Sequence, residues 1–356
     1  MTDERKALYW LSASGMPANK QNKLLEIFGT AIDIMEALPS EKIREFVGAR
    51  AYSALMRTRD ERVIVEELHA IAKQGIRLLI RGFRGYPVRL LEGNVDPPSV
   101  LYVKGNADLL TEPAVCVVGT RRCTDYGRRV ANQWSAELAS RFVIVSGHAT
   151  GIDTCAVRSS LACGGSAVVV LACGIDRFDP PEFMKSCPSG SLLLVSEYPL
   201  GTHTAKYSYY ARNRLLSALS DGVVVVEAAR SSGALITANF AAQQNRTVFA
   251  VPGDVFSDRS SGTNELIRNG AVAATSVADI CFDLGVMYEQ DGEKAAIDMT
   301  DDERRIYEVL TSGPKHFDEI VSAVGMPPEA ISGLLSVMEL KGIIEKLAQN
   351  RFSIFK

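Results

Sequence analysis

No apolar run in this sequence is long enough to span a bilayer, and Met1-Thr2-Asp3-Glu4-Arg5 is not the start of a secretory signal. The expectation is a cytoplasmic protein that makes no membrane contact. Basic excess is also missing: 39 Lys and Arg stand against 42 Asp and Glu, a net charge of −3. Overall charge therefore gives no argument for a nucleic-acid partner, which would need a local positive patch. The seven cysteines are odd in number and contain no Cys-x-x-Cys pair. Cys116, Cys163 and Cys173 lie in or beside apolar runs, so buried reduced thiols are expected and no metal site. The four histidines (His69, His148, His203, His316) are scattered, and no Ser/His/Asp order stands out. Neither a hydrolytic catalyst nor a cofactor is expected.

What remains is the composition of an ordinary globular protein, 47% hydrophobic and 23% charged, in a chain of 356 residues that suits two or three domains. Residues 1–75 read as a helical module: Leu8, Leu11, Leu24, Leu25, Ile27 and Phe28 recur near helical spacing, and Gly15-Met16-Pro17 separates the first helix from the second. Its single Gly and Pro argue against the paired glycines of a DNA-binding helix–hairpin–helix turn, and a structural or docking module is expected. From Ile76 the pattern turns to extended pieces at 76–80, 86–91 and 101–105. A βα alternation follows to residue 284, with strands at 115–118, 142–145, 167–171, 191–195, 223–227 and 247–251. Helices are expected at 126–140, 154–163 and 235–244. Such alternation predicts an α/β fold, a doubly wound and mostly parallel sheet with ligands at the carboxyl ends of its strands. Residues 285–300 are polar and aperiodic and read as a linker. Three helices (302–310, 316–324, 328–340) and two strand-like pieces (343–347, 352–355) around Gln349-Asn350 describe a winged helix over 301–356.

Two strand ends carry the strongest signal. Gly119-Thr120-Arg121 follows one strand, and Ser146-Gly147-His148-Ala149-Thr150-Gly151-Ile152-Asp153 follows the next. Glycine-rich turns that feed helix N-termini present backbone N–H groups to anions, and Arg121 stands where such a turn aims it at phosphate. The dinucleotide fingerprint Gly-x-Gly-x-x-Gly is absent, so a nicotinamide cofactor is not indicated. Asp153 is read as a helix cap. In Lys206-Tyr207-Ser208-Tyr209-Tyr210-Ala211-Arg212-Asn213-Arg214, cations alternate with rings. Cations neutralise phosphates, and aromatic faces stack on unpaired bases without sequence preference; the alternative is a solvated charge run whose tyrosines pack on the sheet. A third strand ends at Glu227, where Ser232-Gly233 can open another helix N-terminus, and Glu227 is expected to brace Arg212 or Arg214 as an ion pair.

These segments together resemble the DNA-processing protein A family (DprA, also called Smf). The family's motifs run in order through this chain at 117–121, 146–153, 196–199 (Ser-Glu-Tyr-Pro), 209–214, 226–238, 249–253 (Phe-Ala-Val-Pro-Gly) and 262–267. The 86–105 lead-in and Glu339-Leu340-Lys341-Gly342 in the winged helix match as well. The resemblance implies an extended Rossmann core that binds single-stranded DNA, self-associates as a homodimer through that core, and loads the RecA recombinase during natural transformation. Gly119, Thr120 and Arg121 would hold phosphate, with Ser146, Gly147, Gly151, Ser232 and Gly233 at the neighbouring turns. Lys206, Arg212, Asn213 and Arg214 would form the basic groove. Tyr209 would replace the family's stacking phenylalanine. The chain departs from the family pattern at Thr150 (usually Arg), Val157 (usually His) and Tyr209-Tyr210 (usually Phe-Pro).

Two rivals belong to other classes. A lysine-decarboxylase-like phosphoribohydrolase shares a related core, but its Pro-Gly-Gly-x-Gly-Thr-x-x-Glu hallmark is split here between Pro252-Gly253 and Gly262-Thr263-Asn264-Glu265. A winged-helix repressor needs Arg, Lys, Asn or Gln early in its recognition helix. Pro327-Pro328-Glu329-Ala330-Ile331-Ser332-Gly333-Leu334-Leu335 has none, which favours a protein-contact role for that domain.

Overall fold

The structure, a computed structural model, describes residues 3–287, 299–341, 343–347 and 350–354. Most of the expected linker, 288–298, lies outside the described residues. The chain divides into two compact units, Met1–Tyr288 and Glu289–Lys356.

The first unit begins with six helices: α1 (Glu4–Ala13), α2 (Ala18–Phe28), α3 (Ala31–Glu36), α4 (Glu41–Val47), α5 (Ala49–Arg57) and α6 (Glu61–Lys73). Side-chain caps start several of them, as where Asp3 accepts from Lys6 N and Ser40 from Ile43 N. The break at Gly15-Met16-Pro17 is as expected from the sequence, with Gly15 at φ 71°. Trp10, Leu11, Leu24, Ile34 and Leu55 are buried in one cluster with Tyr102, Val169 and Leu194 of the sheet, so these helices share an apolar core with the strands.

The sheet contains β1 (Arg77–Ile80), β2 (Val100–Gly105), β3 (Ala114–Val118), β4 (Val143–Ser146), β5 (Ala167–Val170), β6 (Leu192–Ser196), β7 (Gly222–Val225), β8 (Thr247–Ala250) and β9 (Val272–Ala273). Their order is β1-β2-β6-β5-β4-β3-β7-β8-β9. From β6 to β9 every pairing is parallel; β2 pairs antiparallel with both β1 and β6. The parallel strands are Val-rich runs buried on both faces, as helices on either side require. The connecting helices are α7 (Asp125–Leu138), α8 (Ile152–Ala162), α9 (Glu182–Lys185), α10 (Lys206–Ala218), α11 (Ala234–Gln243), α12 (Ser261–Arg268) and α13 (Val277–Asp283). The doubly wound α/β core is therefore present, and each expected core strand has a counterpart within a residue or two. One piece differs: 86–91 is not extended but holds a single 3-10 turn, Val88–Leu90, because Pro87 fixes its own φ at −63° and leads straight into the turn.

The second unit is the winged helix: α14 (Asp301–Leu310), β10 (Lys315–His316), α15 (Phe317–Val324), α16 (Pro328–Leu340), β11 (Ile344–Leu347) and β12 (Arg351–Ile354), with sheet order β10-β12-β11. Ile306, Leu310, Ile320, Ile331, Leu335, Met338 and Phe352 form its core. Buried Glu303 receives the Lys341 ammonium at 2.8 Å and the N–H of its own N-cap, Thr300. No helix among the described residues is long and apolar enough to cross a membrane.

Candidate nucleic-acid interface

Connections leave β3 toward one side of the sheet and β7 toward the other, so the chain reverses its winding between these neighbours. A crevice opens there, at the carboxyl ends of the strands. It is a cleft of about 1160 Å³ lined by Gly119 to Arg122, Ala149, Asp153, Lys206, Tyr207, Tyr209, Tyr210, Arg212, Asn213, Ser231 to Ala234, Ile236, Thr237 and Arg259.

Each wall is built from a turn that only certain residues can make. After β3, Thr120 N donates to Glu227 O at 2.7 Å, and Thr124 caps α7 by accepting from Gly127 N at 3.1 Å. After β4, Gly151 stands at φ 90° as the N-cap of α8, so close to the first wall that a Cβ there would lie 2.3 Å from Thr120 O. Gly147 is needed for another reason: its missing side chain leaves room for the Arg212 guanidinium, whose carbon would be 2.5 Å from a Cβ. After β7, Ser232 and Gly233 lead into α11, with Ser232 Oγ accepting from Ala234 N at 3.3 Å. Helix N-termini thus converge on the crevice, each with the partial positive charge that attracts anions.

The segment 206–214 is the first part of α10, and the helical period sorts its residues. Lys206, Tyr207, Tyr209 and Tyr210 are exposed along the cleft. The Arg121 guanidinium lies over the Tyr209 ring, 5.0 Å from its centroid, and Tyr210 meets Phe240 edge to face at 5.4 Å. Arg212 and Arg214, only 3% and 8% exposed, turn inward. Arg212 donates to the carbonyls of Gly147 and Val170 and to Asn213 Oδ1, and Asn213 in turn donates to Gly233 O. Arg214 forms a buried ion pair with Glu197.

That pairing corrects the expectation for Glu227, which braces neither arginine. Its carboxylate accepts from Thr124 N and Thr124 Oγ1, both at 2.8 Å, because Gly127 has no side chain to keep it out. The carboxylate that meets Arg214 belongs to the Ser-Glu-Tyr-Pro segment after β6. Ser146 is fully buried, and its hydroxyl donates to Val117 O at 2.8 Å, fastening β4 to β3. Asp153 is not the expected cap, since Gly151 is the N-cap of α8 and no side chain caps it; Asp153 lies in the first turn, buried in the cleft floor, and accepts from Ala149 N of the preceding loop at 3.4 Å. Burial pushes its carboxyl up to about 6, against the pull of Arg212 and of the Ala149, Gly119 and Gly147 N–H groups. Burial likewise lowers the Arg212 guanidinium, and Asp153 opposes it. Thr150 is exposed and Val157 buried.

Sequence reasoning passed over Arg122 and Arg259 as site residues. Arg259, from the loop after β8, donates to Arg122 O at 2.6 Å and to Thr120 Oγ1 at 3.5 Å, so it closes the cleft beside Arg121. Nothing near Arg259 in the sequence marks it, since only the sheet order brings the β8 loop to the β3 turn. Among the described residues no His/Cys/Asp/Glu group could hold a metal ion.

Residues 77–285 match the family model for DNA recombination-mediator protein A, and residues 290–350 match the DprA winged helix domain. The chain is 38% identical to DNA processing protein DprA of Bacillus subtilis over 221 residues, 61% of this chain and 74% of that one. Among solved structures, DNA processing protein A from Streptococcus pneumoniae superposes with a TM-score of 0.67 at 32% identity, covering 81% of this chain and all of that one. DNA processing protein A from Helicobacter pylori, described for its single-stranded DNA binding mode, superposes with a TM-score of 0.51 at 30% identity, covering 59% of this chain and 95% of that one. With its motifs in order on the doubly wound core and both domain models matched, the chain belongs to the DprA/Smf family of DNA-processing proteins.

Proposed function

We propose that the crevice between the β3 and β7 ends binds single-stranded DNA without strong sequence preference. The observation that carries this reading is the Arg121 guanidinium over the exposed Tyr209 ring, inside a cleft rimmed by helix N-termini and by Lys206, Arg122 and Arg259. Phosphates would lie against the Gly119-Thr120-Arg121 turn and the glycines at 147, 151 and 233, while bases stack on Tyr209 and Tyr210. Arg212, Asn213 and Arg214 act from behind: they hold α10 and its tyrosines against the turns. Duplex fits poorly, because its bases are already stacked and offer the rings no face.

Family membership extends the reading to the protection of exposed strands and the loading of the RecA recombinase onto them, as in natural transformation. It also extends to self-association through the core. A titration of single-stranded against duplex oligonucleotide at several salt concentrations tests the central step. Single strands should bind well above duplex, with affinity falling as salt rises; equal affinity at matched salt would refute the reading.

A further inference from the structure

The cleft is not the only place where a guanidinium lies on a ring. Arg158 stands over Phe183, 5.0 Å from the ring centroid, the same separation as Arg121 over Tyr209. Arg158 is exposed, in the second turn of α8, and among the described residues no carboxylate or carbonyl bonds its guanidinium. Phe183, in α9, is half-buried and packs against the apolar cluster beneath it. A third ring completes the group: His148 meets Phe178 edge to face at 5.5 Å and Phe183 at 6.0 Å. His148 stands at φ 52°, a left-handed conformation that a residue with a side chain adopts at a cost. Its Nδ1 is buried, with no hydrogen-bond partner among the described residues. The turn after β4 thus turns a strained residue toward these rings rather than toward the cleft.

The sheet order relates the two pairs. β4 lies between β3 and β5, so three carboxyl ends stand in a row. They are the β3 turn with Arg121, the β4 turn at 147–151, and the segment after β5 with Phe178 and Phe183. Ala149 of the middle turn lines the cleft, while its neighbour His148 touches the rings on the far side. The middle turn offers no cation of its own. Thr150 stands where the family pattern has Arg, and burial, with the Arg158 charge adding to it, lowers the His148 imidazole. Arg158 lies about 10 Å along the α8 axis from the Gly151 cap, so it is the next cation a strand meets on crossing that turn.

We propose that Arg158, held on Phe183 beside His148, is a second phosphate ligand, for a single strand that leaves the cleft across the 147–151 turn. This rests on the reading of the cleft as a single-strand site and extends its track along the carboxyl edge of the sheet. A ring face attracts the cation and keeps its N–H groups for phosphate oxygens. A guanidinium already placed on a ring also has less freedom to lose when the phosphate arrives. Arg158 thereby returns, on α8, the positive charge that Thr150 leaves out of the turn.

The full chain and its Arg158→Ala, Arg158→Lys, Arg121→Ala and Arg57→Ala variants are titrated with labelled oligo-dT of increasing length at several salt concentrations. On long oligonucleotides Arg158→Ala should flatten the slope of log affinity against log salt by about 0.7, so that between about 50 and 200 mM salt the parent loses about two- to threefold more affinity. The difference should vanish on the shortest strands, which the cleft alone holds. Arg158→Lys keeps the charge and should keep the slope, and the melting temperatures should not move. Arg57→Ala removes the same charge from an exposed position on α5 and should leave the slope alone. The proposal is overturned if Arg158→Ala keeps the parent slope at every length, if its effect is the same at every length, or if Arg57→Ala flattens the slope as much. If Arg121→Ala flattens the slope and Arg158→Ala does not, the second ligand falls and the reading of the cleft stands; if neither does, both fall.

Discussion

The two halves of the 206–214 segment both carry positive charge and are opposite in fate. Lys206, Tyr207, Tyr209 and Tyr210 face the cleft, whereas Arg212 and Arg214, four and six residues beyond Ser208 on the same helix, are buried and bonded within the protein. A charge that faces solvent costs little to keep and can be given to a ligand. A buried guanidinium must be matched by carbonyls or a carboxylate, and its charge is then committed largely within the protein. The first half of the run is thus available for binding, and the second half positions it.

The largest effect should come from the buried half. Arg214→Ala leaves Glu197 in the interior without its cation, where burial already pushes that carboxyl above the ordinary range and Arg214 holds it down. Loss of about 3–5 kcal/mol of stability is expected, read as a lower denaturation midpoint, with the salt slope of oligonucleotide binding by the remaining folded protein unchanged. A variant that stays stable but loses binding would move Arg214 into the contact surface and dissolve the contrast.

Asp153, under Arg212 on the cleft floor, sharpens it through pH. Its carboxyl is pushed up to about 6, so the folded state binds that proton more tightly than the unfolded chain does. A raised carboxyl stabilises most below its unfolded range near pH 4, and that contribution is lost as pH rises through 6. Asp153→Asn removes the titration. Relative to the parent, the variant should gain up to about 3 kcal/mol between pH 4 and pH 7, whatever constant offset its altered hydrogen bonds impose. Parallel stability curves over that window would show that Asp153 titrates at its ordinary value.

The alternation of strands and helices was legible from Val-rich runs and turn residues, because buried parallel strands leave that pattern in the sequence and little else does. The turns at 119–121 and 147–151 were legible too, since few residues other than glycine fit their close approaches. Residue type alone does not say which arginines face outward. Arg212 and Arg121 carry the same charge, and only the helical phase of α10 and the room above Gly147 separate them. Arg259 was out of reach because the sheet order brings its loop to the β3 turn across 137 residues, and the Arg214–Glu197 pair because residue type does not say which nearby carboxylate a buried guanidinium meets.

In the exposed half, Tyr209→Ala should cost about 1–3 kcal/mol of single-strand affinity if a base stacks on the ring, with an unchanged melting temperature. Tyr209→Phe keeps the ring face and should bind nearly as the parent does. If both variants melt early while their folded fraction binds normally, Tyr209 belongs to the packed half.

The smallest effect is read in the slope. Arg121 is exposed and contacts the Tyr209 ring, and among the described residues no carboxylate or carbonyl bonds its guanidinium, so its charge is available to a phosphate. Each phosphate contact on a single strand contributes about 0.7 to the slope of log affinity against log salt. Arg121→Ala should therefore weaken binding evenly across sequences and flatten that slope by about 0.7. Between 50 and 200 mM salt the parent should lose about two- to threefold more affinity than the variant. Arg212→Ala, with its guanidinium already committed to the Gly147 and Val170 carbonyls, should leave the slope alone and lower stability instead. The division of α10 fails if the two arginines exchange these signatures, because only a guanidinium that meets solvent before DNA arrives can release counterions when it does.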